Sequence, residues 1–229
     1  IESYREALGC DSVSAFGGIV SCNFRVTKKI AQELNKLFLE VIIGNGFDNS
    51  ALKVLKKKKN LRLIDASKYK LKEILKFTSH NQEILLQSED INKFSNRDFK
   101  VVSKRKPSSK QLKDLIFAFN VCRYVKSNAI VLTSNTRTVG IGSGQPSRLD
   151  SCKIAIDKMN NFQKIKESDQ VVAASDAFFP FVDGIETLVQ AGVSAVIQPS
   201  GSIRDKEIIK YANETDTVLV FSKTRHFKH

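Results

Sequence analysis

The sequence has few of the features that would assign it to a membrane or secreted class. It contains no apolar run long enough to span a bilayer and no charged segment followed by an apolar one, as in a secretory leader. It also has no lipidation tail. We therefore expect a soluble, cytoplasmic protein with no membrane partner.

Cysteine is scarce and scattered. The four residues Cys10, Cys22, Cys122 and Cys152 show no CxxC spacing. A chain of 229 residues can bury a sizeable core without disulfide bonds. We expect reduced thiols and no zinc.

Several catalytic signatures are also missing. The sequence has no HxE zinc-deaminase pattern, no P-loop and no Ser, His and Asp in a recognisable triad order. Most hydrolase, deaminase and nucleoside triphosphatase interpretations therefore lack the residues that they need.

Charge is the most one-sided feature of the composition. Lys and Arg number 37 against 24 Asp and Glu, which gives a net charge of +13. Such an excess favours an anionic partner, such as a phosphorylated metabolite, a polycarboxylate or nucleic acid. Lys56 to Lys59 form a basic block without the interleaved aromatic residues of a base-stacking surface. A solvated face is the favoured interpretation, and a basic nucleic-acid-binding module is the alternative.

Helical and strand patterns alternate toward both ends of the chain. Thr27 precedes a helical pattern over 27–38, and the apolar residues after it resemble a short buried strand. Later patterns predict a helix over 185–191, a strand over 194–198, a helix over 203–213 and a strand over 217–222. This alternation indicates an α/β fold in which helices cover a sheet.

The middle of the chain suggests two domains. Residues 65–99 are polar and weakly periodic, which is typical of a surface excursion. We therefore expect domains over 1–100 and 101–229. A short similarity between "SVSAFGGIV" and "ASDAFFPFVDGI" is a hint of duplication, although similarity of this length is common by chance.

Three turns could present polar groups to a ligand. "TVGIGSGQPSR" runs through Gly140, Gly142 and Gly144 into a helix, which exposes backbone N–H groups, although a tight turn that needs small residues is an equal alternative. In "QPSGSIRDKE", Ser200 or Ser202 is predicted to cap a helix. Asn128 precedes an apolar strand, where an amide could donate and accept, although a turn role is commoner.

Two further segments fit no regular element. "AASDAFFPFVDGI" is interrupted by Pro180 and does not alternate, so it is interpreted as a built loop. The sequence ends in "FSKTRHFKH", where Arg225 beside His226 and His229 would suit a phosphomonoester and a proton-transfer site. A frayed tail without a ligand is the alternative.

These segments together resemble one enzyme family. "SAFGGIV", "KSNAIVL", "TVGIGSGQPSRLDSCKIA", "SDAFFPFVDGI", "AGVSAVIQPSGSIRDKE" and "RHFKH" are similar to the transformylase domain of the bifunctional purine biosynthesis enzymes, which join AICAR formyltransferase to IMP cyclohydrolase. The resemblance covers most of the chain and weakens across 65–99. It implies an α/β fold of duplicated, cytidine-deaminase-like three-layer subdomains without zinc, in a homodimer with shared sites.

The resemblance also implies a reaction. A formyl group passes from 10-formyltetrahydrofolate, the co-substrate, to the amine of 5-aminoimidazole-4-carboxamide ribonucleotide, and a monovalent cation can assist. The lone pair of that amine is delocalised into the ring, so positioning and proton transfer must supply the rate. The family's principal Lys–His pair is expected upstream of Ile1 and the cyclohydrolase domain outside these residues, so we expect this chain alone to be nearly inactive.

The resemblance assigns roles to residues of this sequence. Asn128 and His229 are implied to be supporting catalytic residues. The nucleotide is implied to contact Gly17, Glu40, Phe178, Arg225 and Phe227. The folate is implied to contact Ser147, Arg148, Leu149, Phe181 and Asp183. Pro146 departs from the family's usual residue. The Phe run would supply flat apolar walls for two heteroaromatic rings, and the carboxylate would face the donors of the pterin edge.

Overall fold

The computed structural model describes the chain except for residues 71–74, 93, 163–164, 166–168 and 228–229. The chain forms two compact units, unit 1 (Ile1–Glu89) and unit 2 (Asp90–His229). The sequence suggested a division near residue 100. Each unit combines helices with a sheet, so the α/β prediction is confirmed.

Unit 1 is built on a small parallel sheet. Its elements are α1 (Glu2–Gly9), β1 (Gly18–Cys22), α2 (Lys28–Leu34), β2 (Leu39–Gly44), α3 (Asn49–Leu55), β3 (Arg62–Asp65), β4 (Leu75–His80) and β5 (Glu83–Ser88). The sheet has the order β1-β2-β3, and β1, β2 and β3 pair in parallel. β4 and β5 form a separate antiparallel hairpin, and β5 is exposed along its whole length. The hairpin lies within the polar stretch 65–99.

The core of unit 1 lies between its parallel sheet and the helices α2 and α3. Ile30 and Leu34 of α2 and Leu55 of α3 pack with Ile42 of β2 in one buried cluster. The helical spacing in the sequence predicted this face of α2 correctly. Thr27 stands at the N-cap as predicted, but its side chain makes no cap hydrogen bond within the described residues.

Unit 2 is built on a larger, mixed sheet. Its elements are β6 (Phe99–Val101), α4 (Ser109–Cys122), β7 (Ile130–Ser134), β8 (Arg137–Gly142), α5 (Arg148–Phe162), β9 (Val171–Ser175), α6 (Val182–Gln190), β10 (Val193–Pro199), α7 (Asp205–Glu214) and β11 (Val218–Ser222). The strand order is β6-β11-β10-β9-β7-β8. β9, β10 and β11 are parallel, whereas β6 pairs antiparallel to β11, and β7 antiparallel to β9 and β8.

Helices cover both faces of the unit 2 sheet. On one face, Leu115 and Phe119 of α4 pack against Val172 and Val220. On the other face, α5, α6 and α7 contribute buried residues such as Leu188 and Ile208 to a second cluster. β9 and β11 are buried along their whole length, which explains their continuous apolar sequences.

Two glycines of "TVGIGSG" are explained by packing. A Cβ at Gly140 would lie 2.1 Å from the carbonyl oxygen of Ala155, and one at Gly142 would lie 1.9 Å from that of Ser151. β8 therefore approaches α5 more closely than any side chain allows. Of the two interpretations of this segment, the requirement for small residues accounts for these two positions.

The starts of α4 and α7 differ from each other. Ser108 caps α4 by a reciprocal capping box with Gln111. The predicted Ser caps of α7 are wrong, because Arg204 occupies the N-cap. Ser202 instead accepts the Arg204 N–H, while Asp205 accepts the N–H groups of Gly201 and Ser202. Across the described ranges, no helix has the length and apolar character needed to cross a bilayer.

Candidate active site in unit 2

Five connecting segments of unit 2 meet at one edge of its sheet. The pairing places Ile130 opposite Ser175 and Gly142, and Pro199 opposite Ser222. The start of β7 and the ends of β8, β9, β10 and β11 therefore lie at the same edge. Ligand sites in open α/β sheets form at such edges, where connecting segments rather than strands supply the polar groups.

A cleft of about 480 Å³ lies at this edge. It is lined by nine residues that the sequence implicated, namely Asn128, Ser147, Arg148, Leu149, Phe178, Phe181, Asp183, Arg225 and Phe227. The fold brings together side chains that are separated by up to a hundred positions in the sequence. Three other candidates are not placed in it: Gly17 and Glu40 belong to unit 1, and His229 lies outside the described residues.

The amide of Asn128 is held on both sides. Its Nδ2 donates to the carbonyl oxygens of Gln145 and Pro146, at 2.9 Å each. Its Oδ1 accepts from Nη2 of Arg148 at 2.7 Å. Both amide hydrogens are committed to the protein, so the remaining capacity of the side chain in the cleft is as an acceptor.

Arg148 is a buried centre of this network. Its side chain is 8% exposed, and its Nη1 donates to Ser175 Oγ at 2.8 Å and forms an ion pair with the fully buried carboxylate of Asp176. The sequence placed Arg148 near the folate. Its guanidinium is engaged by three protein acceptors, whereas Ser147 and Leu149 flank it at the start of α5, where backbone N–H groups lack helical acceptors.

Asp176 connects this network to its surroundings. Its Oδ2 accepts from Ser127 Oγ at 2.5 Å, and its backbone oxygen accepts the N–H of His226 at 2.9 Å. Sequence reasoning assigned no role to Asp176 or Ser127. The available signal was the Ser-Asp pair directly after the apolar strand β9, where a buried strand delivers polar side chains to the sheet edge.

The phenylalanines of "SDAFFPF" divide between the cleft and the core. Phe178 and Phe181 line the cleft, and Phe181 is 52% exposed. Phe179 also borders it, but its side chain is only 1% exposed and its N–H donates to Gln198 Oε1 at 3.2 Å. Phe179 therefore anchors the loop, while the rings on either side of it form flat walls.

Arg225 lies against aromatic rings of the cleft. Its guanidinium carbon is 4.7 Å from the ring centroid of Phe178 and 5.9 Å from that of Phe227. A guanidinium stacked on a ring keeps its N–H donors in the plane of the group, where they are free to approach an anion.

Asp183 lies in the first turn of α6 at the cleft. Its Oδ1 accepts the N–H of Gly184 at 2.7 Å. The residue is exposed, and the start of a helix favours a negative charge. The other carboxylate oxygen is therefore placed to accept a bond from a ligand.

His226 does not take part in the cleft, contrary to the sequence-based hypothesis of an imidazole beside Arg225. Its side chain is fully buried, with Nδ1 hydrogen-bonded to Asp90. Its ring centroid lies 4.2 Å from that of Phe119 and 5.3 Å from that of Phe94. This burial lowers the pKa of His226, against the opposing effect of Asp90. Residues 225–227 follow β11 outside any strand, and they place Arg225 and Phe227 at the cleft with the buried His226 between them.

The unit 1 candidates lie on its surface. Gly17 has a φ of +73° and donates its N–H to the Phe38 carbonyl at 2.9 Å. The rings of Phe16 and Phe38 stack with centroids 5.1 Å apart. Glu40 is exposed on β2.

The basic block of unit 1 is partly structural. Lys58 Nζ donates to the carbonyls of Asn35 and Leu37, at 2.8 and 3.0 Å, just after α2. A cation at the end of a helix stabilises its last carbonyl groups. This contact accounts for one lysine of the four.

All four cysteines are buried, and none of them forms a disulfide bond. Burial raises the pKa of Cys122, and raises that of Cys152 to about 12. Neither has thiolate character near neutral pH. Within the part of the chain that the structure describes, no three His, Cys, Asp or Glu residues are grouped so as to hold a metal ion.

The fold and the cleft define an α/β protein with an aromatic-walled cleft, bordered by a guanidinium and a carboxylate, at one edge of a helix-covered sheet. The family model described as the AICARFT/IMPCHase bienzyme matches residues 1–158, and the chain belongs to this family.

Relatives agree with this assignment. The bifunctional purine biosynthesis protein PurH of Clostridium botulinum is 46% identical over 228 residues, which cover 100% of this chain and 44% of that protein. The bifunctional purine biosynthesis protein PurH of Chlorobium phaeobacteroides is 44% identical over 229 residues, which cover 100% of this chain and 43% of that protein. The chain therefore spans less than half the length of the curated relatives that it matches.

Proposed function

We propose that unit 2 supplies one substrate-binding face for formyl transfer in purine biosynthesis. The formyl group passes from 10-formyltetrahydrofolate to the exocyclic amine of 5-aminoimidazole-4-carboxamide ribonucleotide. The observation that supports this most strongly is the cleft itself, because it combines flat apolar walls, a fixed amide, a carboxylate and a guanidinium in one space of about 480 Å³. Both substrates carry planar heteroaromatic rings, and both carry anionic groups.

Asn128 acts as a positioning group for the amine. Its Nδ2 hydrogens are bonded to carbonyls and its Oδ1 accepts one bond from Arg148, which leaves a lone pair for an N–H of the nucleotide. That bond orients a weakly nucleophilic amine toward the formyl carbon. Holding two reactants in attack geometry supplies a large part of a rate enhancement without proton transfer.

The folate is bound by groups of opposite character. Phe178 and Phe181 offer ring faces to the heterocycles, and the Asp183 carboxylate accepts from pterin N–H donors. The backbone of Ser147 and Leu149 at the start of α5 donates to carbonyl or carboxamide oxygens. In this proposal Arg148 is a positioning residue, since its guanidinium is engaged by Asn128, Ser175 and Asp176.

The nucleotide phosphate is bound by Arg225. Stacking on Phe178 and Phe227 restrains its guanidinium before the ligand arrives. A restrained, planar donor group loses less side-chain entropy when it binds a phosphate.

The proposal assigns different residues to the two ligands, so substitutions at those residues test it. Asp183→Asn should weaken folate binding about tenfold and leave nucleotide binding unchanged, because a charged acceptor opposite N–H donors is lost. Arg225→Ala should weaken nucleotide binding about tenfold or more and leave the folate unchanged. Calorimetric titration of the natural protein with each ligand measures both effects.

Two exposed residues of unit 2 serve as matched controls. Asp157→Asn and Arg105→Ala remove the same charges at positions outside the cleft lining. They should leave both affinities unchanged. Equal losses for both ligands in Asp183→Asn, or a loss in either control, would contradict the assignment.

Three further expectations stay proposals. The resemblance implies a homodimer, a monovalent cation and a duplicated fold related to cytidine deaminases. The duplication is supported by topology, because β1-α2-β2-α3-β3 and β9-α6-β10-α7-β11 are both runs of parallel strands joined by helices. However, "SAFGG" precedes β1 whereas "SDAFF" begins at the end of β9, so the short sequence similarity is not matched by equivalent positions.

A further inference from the structure

The loop between β10 and α7 lies beside two residues that line the cleft. At one end of this loop, a Cβ at Gly201 would lie 3.5 Å from Nη2 of Arg225. At its other end, the guanidinium carbon of Arg204 lies 4.9 Å from the ring centroid of Phe181. The loop therefore passes close to Arg225 and contacts Phe181, and Arg204 places a positive charge beside the more exposed aromatic wall.

The loop has a defined conformation. Asp205 accepts the N–H groups of Gly201 and Ser202, at 2.8 and 3.3 Å, and Ser202 Oγ accepts that of Arg204 at 3.2 Å. The Arg204 side chain is 47% exposed and pairs with Glu207 at 3.0 Å. It is thus oriented by a ring on one side and a carboxylate on another, while half of its surface faces solvent.

We propose that Arg204 is an anion-binding residue for the glutamyl tail of the folate. This inference rests on the proposed function. A folate consists of a pterin, an aminobenzoyl ring and one or more glutamates, so its carboxylates lie at the far end from the pterin. With the pterin at Asp183 and an aromatic ring on Phe181, the tail leaves the cleft past the guanidinium on that ring.

Arg204 and Arg225 lie on different aromatic walls of the cleft, so Arg204 is separate from the proposed phosphate site at Arg225. Arg225 stacks on Phe178 and Phe227, whereas Arg204 stacks on Phe181. Two guanidiniums on different walls suit two different anions. The nucleotide has one anionic group, its phosphate, while the folate tail carries at least two carboxylates and more with each added glutamate.

The effect of this residue should be moderate. Arg204 is half exposed, and Glu207 competes with the ligand for its donors. An ion pair in such a setting is weak, and a bidentate contact lies at the upper end of its range. We therefore expect a change of about fivefold in affinity for a tail of several glutamates.

Steady-state kinetics of the natural protein test the inference with two co-substrates, 10-formyltetrahydrofolate with one glutamate and with five. Arg204→Ala should raise the KM for the pentaglutamate about fivefold and that for the monoglutamate less, with kcat and the nucleotide KM unchanged. Glu207→Gln should lower the pentaglutamate KM, because it removes the competing carboxylate. Lys206→Ala is the matched control, since it removes the same charge from an exposed position two residues further along the chain.

Each outcome decides between the possibilities. If the unaltered protein transfers formyl groups but Arg204→Ala keeps the same ratio of KM values as the control, this inference is wrong and the proposed function stands. A rise in nucleotide KM alone would place the phosphate at Arg204 and also overturn it. If the unaltered natural protein, tested at its full length, transfers no formyl group, the proposed function fails. Fluorescence titration with pteroate and pteroylpentaglutamate then tests Arg204 separately, and equal losses for both ligands would reject the tail contact.

Discussion

The two units bury different kinds of side chain. In the described part of unit 1, every side chain in the buried class is apolar, and its ion pairs, such as Arg5–Glu33 and Arg25–Asp48, have exposed members. Unit 2 buries Arg148, Asp176 and His226 along with many hydroxyl and amide groups. Burying a polar group costs free energy unless its hydrogen bonds are satisfied. The stability of unit 2 therefore depends on these hydrogen bonds, whereas that of unit 1 does not.

Five polar residues of unit 2 are hydrogen-bonded to one another beside the cleft. Ser127, Asn128, Arg148, Ser175 and Asp176 form one connected set of hydrogen bonds at the sheet edge. A connected set of this kind restricts each member to a single orientation. The comparison teaches that unit 1 is stabilised by apolar packing, whereas unit 2 combines such packing with a rigid polar layer beneath the proposed site.

The strongest way to break this comparison is to remove one charge of the buried pair. Asp176→Ala should reduce the stability of unit 2 by about 3–5 kcal/mol, because Arg148 would stay buried without its counter-ion. Urea unfolding followed by hydrogen exchange in β7 and β9 measures the change. The strands of unit 1 should keep their protection.

The exposed pair Arg105–Asp216 provides the control. Its side chains are 39% and 80% exposed, so Asp216→Asn, which keeps a residue tolerated at the φ of +50° found there, should change stability very little. A comparable loss in both variants would mean that burial does not distinguish the two pairs. The view of unit 2 as a fold with a costly polar layer would then be wrong.

The sequence predicted the elements of both units well where patterns were strong. The helix over 27–38 and the strands near 194–198 and 217–222 correspond to α2, β10 and β11. These segments have clear helical or continuous apolar patterns, which depend on local chemistry. The hairpin of β4 and β5 was not predicted, because its exposed strands alternate weakly and no core face imposes a period of two.

The residues that line the cleft were predicted only through the family resemblance. The buried hydrogen bonds that hold those residues in place were not predicted. Spacing alone left Asn128 as an ordinary turn residue, since its partners Gln145 and Arg148 are distant in sequence. His226 and Arg225 are adjacent, yet one enters the core and the other the cleft. Which of the two neighbours points inward depends on tertiary contacts after β11, such as the packing of His226 on Phe94 and Phe119, and a short sequence segment does not reveal them.

A second experiment sharpens the comparison within unit 1. Ile42 is fully buried on β2, whereas Ile64 on β3 is 48% exposed. If apolar packing stabilises this unit, Ile42→Ala should cost about 3 kcal/mol, since it removes buried methyl groups and leaves a cavity among α2 and α3. Ile64→Ala should cost much less, as measured by hydrogen exchange in β1 and β2. Equal losses in the two variants would contradict the one-sided core.

The smallest expected effect is a pH dependence of the stability of unit 2 that comes from one buried imidazole, His226. Burial lowers the pKa of His226 below its ordinary value of 6.5, so the folded chain binds this proton less tightly than the unfolded chain does. The neutral, buried His226 therefore contributes its full stability to the fold above about pH 6.5. This contribution is lost as the pH falls through the lowered pKa of the folded state. His226→Gln should flatten the decline in urea midpoint of unit 2 between about pH 7 and pH 5. Unit 1 has no buried imidazole among its described side chains and serves as the internal reference.

Salt provides a second check on the cause of the shift in the pKa of His226. Because desolvation rather than a surface charge causes this shift, 0.5 M salt should leave the difference in pH dependence in place, as exposed charges are screened and buried groups much less so. An unchanged pH slope in His226→Gln would show that another group titrates and that His226 is not the cause.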